Sequence, residues 1–313
     1  MKFLSTAEQQ ATITAFLPPK MSILKKYLCC FTAASAIFLN ATASFAYTSE
    51  QIEEILHLNP QSTELTLGFD IKGPEGKQRV TTQNIIELLD RHQGLQTLNL
   101  SSNPWTTDEI GPFLGRLTQL RTLNLSYTKV TSAIGPHLAN LRLLQGLNLN
   151  GNRGINDDIG PHLAGLNELL TLDLTGTRVT DAIGQCFVNW KQLQKLILAE
   201  TAVTDGILEY IDVLEQLRHL DLQDTTVTDA IGPHLVHFQQ MQYLSFDGLK
   251  GITDVIGPYI AQLRQLHRLY LWNTQVSDQL VNYLAGLYLV DILVKDTRFT
   301  EEGKAQLGNL LLG

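Results

Sequence analysis

From Leu95 to Ala305 the chain repeats one pattern about nine times with a period of 24 or 25 residues. It reads Leu-x-x-Leu-x-Leu-x-x-Thr/Asn, then Val/Ile-Thr-Asp-x-Ile-Gly-Pro-x-Leu-x-x-Leu. Apolar positions recur at 95/98/100, 120/123/125, 144/147/149, 169/172/174, 193/196/198 and 217/220/222. The series continues through Met241/Leu244/Phe246, Leu266/Leu269/Leu271 and Leu289/Ile292/Val294. A unit of this length cannot cover its own apolar face, so like units must stack. Stacking adds core one unit at a time, which lets 313 residues form one array without a second domain.

Each column has a physical reading. The alternating segment, such as Leu172-Asp173-Leu174, predicts a short strand with its leucines inward and the intervening residues outward. A Thr or Asn three residues past the last strand leucine (Asn103, Thr128, Asn152, Thr177, Thr201, Thr225, Thr274, Thr297) suits a hydrogen-bonding ladder where the chain turns inward, and Leu249 interrupts it. A second column (Thr107, Thr131, Asn156, Thr180, Thr204, Thr228, Thr253, Ser277, Thr300) has helix N-cap types. The aspartates after most of its members (Asp108, Asp157, Asp181, Asp205, Asp229, Asp254, Asp278) fit the first helical turn better than a calcium-binding or catalytic array. Gly-Pro at five positions starting at 111, 135, 160, 232 and 257 places proline at a helix start, ahead of about two helical turns. Helices on one side are wider than strands on the other, so the stack should curve into a horseshoe with the sheet on its concave face.

These columns resemble the leucine-rich-repeat superfamily over essentially the whole chain after residue 46. The Thr-Asp-x-Ile-Gly segment is most similar to the cysteine-containing and short bacterial subclasses with helical backs. The resemblance implies an α/β horseshoe solenoid that acts as a recognition scaffold, binds a protein or glycan, and is rarely an enzyme.

The expected organisation has four parts: a leader and signal peptide over 1–46, an N-terminal cap with a degenerate first repeat over 47–94, eight regular repeats over 95–288, and a last repeat with C-terminal cap over 289–313. The signal rests on the positive segment at Met21-Ser-Ile-Leu-Lys-Lys, an apolar run from Leu28 to Leu39, and Ser44-Phe45-Ala46 as a small-x-small cleavage site. About a dozen apolar residues fall short of the roughly 20 that span a bilayer, so no stable membrane span is expected. Cys29 and Cys30 lack the small residues that precede a lipid-modified cysteine, and translation can start at Met1 or Met21. In the cap, Ser49 to Leu58 reads as a helix, Leu65-Thr66-Leu67 as the first strand, and Thr82 to Arg91 as its return helix after a long connection through Gly73-Pro74-Glu75-Gly76. Thr300 to Leu312 reads as a closing helix.

The net charge is −8; without residues 1–46 it becomes −11, with 19 basic against 30 acidic residues. That balance repels phosphate backbones and argues against nucleic acid. Only Cys186 lies after residue 46, so an exported periplasmic or secreted monomer would hold together without internal disulfides.

The outward strand positions change character along the array. Early strands present hydroxyls and amides. Three of the last four present His219 and Asp221, Tyr243 and Asp247, and Arg268, Tyr270 and Trp272. Tyr, Trp and Arg dominate interface energetics, so these seven residues are the candidate partner-binding site. No cofactor, metal or catalytic site is expected. His137, His162 and Cys186 occupy consecutive repeats, but helices stand about 8–10 Å apart, too far for ligands that zinc needs at about 2.0–2.3 Å. Such residues, with Phe113, Tyr210, His234, Tyr259 and Tyr283, better form a ridge of half-buried rings. The trio His219, Asp221 and Ser245 resembles a hydrolase triad only superficially on an open sheet. The alternatives to a recognition scaffold are a self-associating structural component of the cell envelope and a secreted effector adaptor.

Overall fold

The computed structural model describes residues 47–311 apart from 69, 74 and 75; the signal-peptide assignment lies outside them. The described residues contain a ten-stranded parallel sheet whose strands follow chain order. The strands are β1 (Glu64–Thr66), β4 (Thr97–Asn99), β5 (Thr122–Asn124), β6 (Gly146–Asn148), β7 (Thr171–Asp173), β8 (Lys195–Ile197), β9 (His219–Asp221), β10 (Tyr243–Ser245), β11 (Arg268–Tyr270) and β12 (Asp291–Leu293). Neighbours pair in strict register, so equivalent residues of successive repeats stand side by side. The middle residue of each strand from β1 to β11 is buried and joins one continuous apolar core with the flanking leucines. Ile292 of the edge strand β12 is only half-buried.

Behind the sheet most repeats carry a three-residue 3-10 turn followed by a single four-residue α turn, as at Asp108–Ile110 and Gly111–Leu114. Two repeats keep a continuous 3-10 helix, Asp181–Asn189 and Asp229–His237. The helical backs are thus tighter than two α turns, because a 24-residue circuit leaves little chain for regular helix.

The polar columns link repeats. Thr128, Thr177, Thr201, Thr225, Thr274 and Thr297 each donate a hydroxyl to the carbonyl three residues earlier, at 2.5–2.8 Å. Asn152 donates to Leu149 and Leu125 and accepts from Thr128, bridging two repeats. The aspartates also reach across: Asp205 accepts both the backbone N–H of Thr228, at 2.8 Å, and its hydroxyl, at 2.7 Å. Equivalent pairs join Asp108 to Thr131, Asp157 to Thr180, Asp181 to Thr204, Asp229 to Thr253, Asp254 to Ser277 and Asp278 to Thr300. Most of those hydroxyls then accept from the N–H two residues on, capping their own turn.

At the N-terminal end the helix Ser49–Ile55 starts with a capping box at Thr48 and packs on the helix Thr82–Arg91. Arg91 pairs with Glu50 and Glu53, and Glu53 also meets His92. Between these helices lies an antiparallel hairpin, β2 (Asp70–Gly73) with β3 (Gly76–Arg79), in the stretch that the sequence marks only as a long connection. The closing helix runs Glu301–Leu311.

Candidate functional site

In-register pairing puts the first residues of β8 to β12 in one row, Lys195, His219, Tyr243, Arg268 and Asp291. The His219 and Tyr243 rings stack face to face, with centroids 3.8 Å apart and planes 2° from parallel. Tyr270, diagonal to Tyr243, meets it edge-on at 5.2 Å and 86°. Cross-strand ring contacts of this kind add about 0.5–1.5 kcal/mol beyond area burial. Two further bonds fix the rings to the last repeat. Tyr270 donates its hydroxyl to Asp291 at 2.5 Å, and the Trp272 indole donates to Asp296 at 2.8 Å. Arg268 is exposed, while His219, Tyr243, Tyr270 and Trp272 are half-buried.

Asp247 departs from the expectation. It is 8% exposed, covered rather than open to solvent, and its carboxylate accepts the Trp272 backbone N–H at 2.6 Å. Burial pushes its pKa up to about 6. Burial likewise raises Asp221, against the opposing effect of the Gln223 N–H that it accepts. His219 is lowered to about 4, first by burial and then by Lys195 and Arg268, so its ring is neutral near pH 7. Burial also raises the Tyr243 hydroxyl. Ser245 is 1% exposed, and no hydrogen bond joins His219 to Asp221 or Ser245 among the described residues. The trio therefore lacks the geometry of a nucleophile and its base.

At the end of the sheet where the strands begin, an open pocket of about 500 Å³ is lined by Arg218, His219, Gln242, Tyr243, His267, Arg268 and Val290. Arg218, Gln242, His267 and Val290 immediately precede their strands, so the in-out alternation used to read the sheet face does not reach them. Arg218 and His267, just before the alternate strands β9 and β11, are the signal that could have found them.

On the helical side, a Cβ added to Gly111 or Gly135 would overlap the ring of His137 or His162 from the next repeat. Tyr210, Tyr259 and Tyr283 cover Gly184, Gly232 and Gly257 in the same way. Cys186, buried with its thiol pKa raised by that burial, sits on Gly160. The stripe is a packing ridge of one ring or thiol per glycine. Among the described residues no group of three His, Cys, Asp or Glu is placed to hold a metal ion, and no helix is long and apolar enough to cross a membrane.

A family model described as a leucine-rich repeat region matches residues 79–310. No curated protein matches the chain. Among solved structures the chain is similar to an internalin C2 from Listeria monocytogenes, at 25% identity and TM-score 0.44, over 74% of this chain and 81% of that one. It is similar to a TDR receptor at 16% identity and TM-score 0.54, over 84% of this chain and 48% of that one. It also resembles the ectodomain of the Arabidopsis thaliana receptor kinase GASSHO1/SCHENGEN3, in a complex with CASPARIAN STRIP INTEGRITY FACTOR 2, at 20% identity and TM-score 0.48, over 70% of this chain and 29% of that one. The chain thus spans less than half the length of the TDR receptor chain and of the receptor-kinase ectodomain chain.

Proposed function

Because the chain belongs to the leucine-rich-repeat family, whose members are protein-binding scaffolds, we propose that it is a non-catalytic recognition protein that docks a protein partner on the outer face of β9 to β12. The observation that carries this reading is the ring set His219, Tyr243, Tyr270 and Trp272, held ready by Tyr270–Asp291 and Trp272–Asp296. Rings already fixed in place lose little rotamer freedom on docking, so more of their contact energy appears as affinity. Asp221 and Asp247 support the site from within the sheet, through the N–H groups of Gln223 and Trp272, and Arg268 supplies an exposed cation.

In this reading residues 1–46 are a leader and signal peptide and the mature chain is an exported, periplasmic or secreted monomer. Its N-terminal cap spans 47–94, its regular repeats 95–288, and its last repeat with C-terminal cap 289–313. The apolar run and small-x-small site of the leader support export. Mass spectrometry of the mature N-terminus tests it; an intact Met1 or Met21 on the mature protein rejects it.

The docking face is tested by calorimetry of the purified, cross-link-identified partner against the full chain and the double variant Tyr270→Ala/Trp272→Ala. A loss of at least roughly 2 kcal/mol is expected for interface anchors. An unchanged affinity rejects the site. A polysaccharide rather than a protein as the sole cross-linked species rejects the partner class.

A further inference from the structure

The pocket at the strand-start end of the docking face carries an unbalanced charge. Lys195, on the adjacent strand β8, and Arg268, two strands away on β11, act on His219, and Arg218 and Arg268 both line the pocket. Among the described residues Arg91 pairs with Glu50 and Glu53, Arg116 with Asp90, and Lys304 with Glu301. Among the described residues Arg218 bonds only the amide of Gln240, and neither Arg268 nor Lys195 has a carboxylate within ion-pair distance. Asp291 stands beside Arg268 in the register, yet its carboxylate is engaged by the Tyr270 hydroxyl. On a chain of net charge −8, two exposed guanidinium groups outside any ion pair at one concavity offer an anion a place to bind.

An apolar surface adjoins this charge. Val290 lines the same pocket and is 71% exposed, and Tyr288, two residues earlier, is 83% exposed. A simple anion makes no use of those side chains. A peptide with an acidic residue next to an apolar one engages both halves, since Arg binds carboxylate in a fork while the neighbouring side chain covers Val290 and Tyr288.

We infer that the pocket between Arg218 and Arg268 receives an aspartate or glutamate side chain of a protein partner, with an adjacent apolar residue of that partner packed on Val290 and Tyr288. This deepens the proposed docking reading and rests on it. His219, neutral and stacked on Tyr243, lines the pocket with a ring and leaves the charge there to the arginines.

The test uses the full chain and three fluorescent probes in anisotropy titrations at low salt: an end-capped octapeptide of alternating Glu and Leu, the matching Gln and Leu octapeptide, and a hexagalacturonate. End-capping removes the terminal carboxylate as a source of charge. The Glu-Leu peptide is expected to bind at least roughly tenfold more tightly than the Gln-Leu peptide, about 1.4 kcal/mol, and to weaken as salt screens the contact. Arg218→Gln/Arg268→Gln is expected to lose at least that tenfold. Both arginines are exposed, so the variant should keep the wild-type melting profile. Val290→Ser/Tyr288→Ser should weaken the Glu-Leu peptide as well. Absence of binding by the Glu-Leu peptide, an unaffected arginine variant, or hexagalacturonate binding as tightly as that peptide each overturns the inference. If Tyr270→Ala/Trp272→Ala abolishes capture of the partner while the arginine variant keeps it, the docking face stands and the acidic anchor falls. If neither variant loses the partner, both fall.

Discussion

The carboxylate of Asp247 accepts the backbone N–H of Trp272, one repeat further on, at 2.6 Å. In five other repeats the corresponding N–H is taken by the last residue of its own strand: Asn99 holds Ser101, Asn124 holds Ser126, Asn148 holds Asn150, Asp173 holds Thr175 and Asp221 holds Gln223. In β11 that place is occupied by Tyr270, which has no acceptor to offer its own turn. The acceptor comes from the previous repeat instead, and so the strand can present a tyrosine without leaving a backbone donor unpaired. Asp247 thereby holds the turn that carries Trp272, beside the proposed docking face.

That support carries a charge that burial disfavours. Asp247 titrates at about 6 in the folded chain against an ordinary 3.8, so the native state holds a proton more readily than the unfolded one. Stability therefore falls as pH rises from about 4 to about 6 and stays lower above. Asp247→Asn keeps the acceptor and drops the charge. It should be more stable than the parent in urea at pH 8, with the difference shrinking toward pH 4. A difference that ignores pH would count against burial as the cause.

Gly257 lies under the ring of Tyr283, and a Cβ there would overlap it. Gly257→Ala should cost about 1–3 kcal/mol through overpacking. Because Tyr283 is 39% exposed, the ring can be removed cheaply. Gly257→Ala/Tyr283→Ala should recover much of the loss in a double-mutant cycle of thermal or urea melts. Additive losses would show that the glycine serves its backbone conformation instead.

Asp205→Ala strips two acceptors from Thr228 at once. A loss of about 1–3 kcal/mol is expected for an orphaned, partly buried donor pair, with Asp205→Asn between the two. Since each repeat touches only its neighbours, faster amide exchange should centre on the repeats flanking Thr228. Exchange that quickens uniformly along the array would contradict a local staple.

Two residues past the last strand leucine, the chain adopts the left-handed region in every regular repeat, mostly with Gly, Asn, Asp or Ser. Glu200 does so at φ 55°. Left-handed backbone costs an ordinary L-residue about 1–2 kcal/mol, and glycine returns part of that gain as chain entropy. Glu200→Gly should raise stability by roughly 0.5–1 kcal/mol in denaturant melts, whereas Glu200→Ala should not; equal gains from both would rule out backbone relief.

The sequence by itself determined phase within a repeat. Leucine spacing, the Thr/Asn ladder and the capping column are local patterns, and each follows from strand alternation or from unpaired backbone groups near their own turn. The family, the parallel sheet and the aromatic character of β9 to β11 were all legible on that basis. Stacking alone decided which residue of one repeat meets which residue of the next, some 21 to 27 positions away. It sends Asp205 to Thr228, lays His137 on Gly111, draws Asp247 inside and gathers Arg218 and Arg268 around one pocket. A periodic sequence specifies what recurs; the lateral offset between copies comes from close packing of whole units, and the hairpin at 70–79, which does not recur, had no period to reveal it.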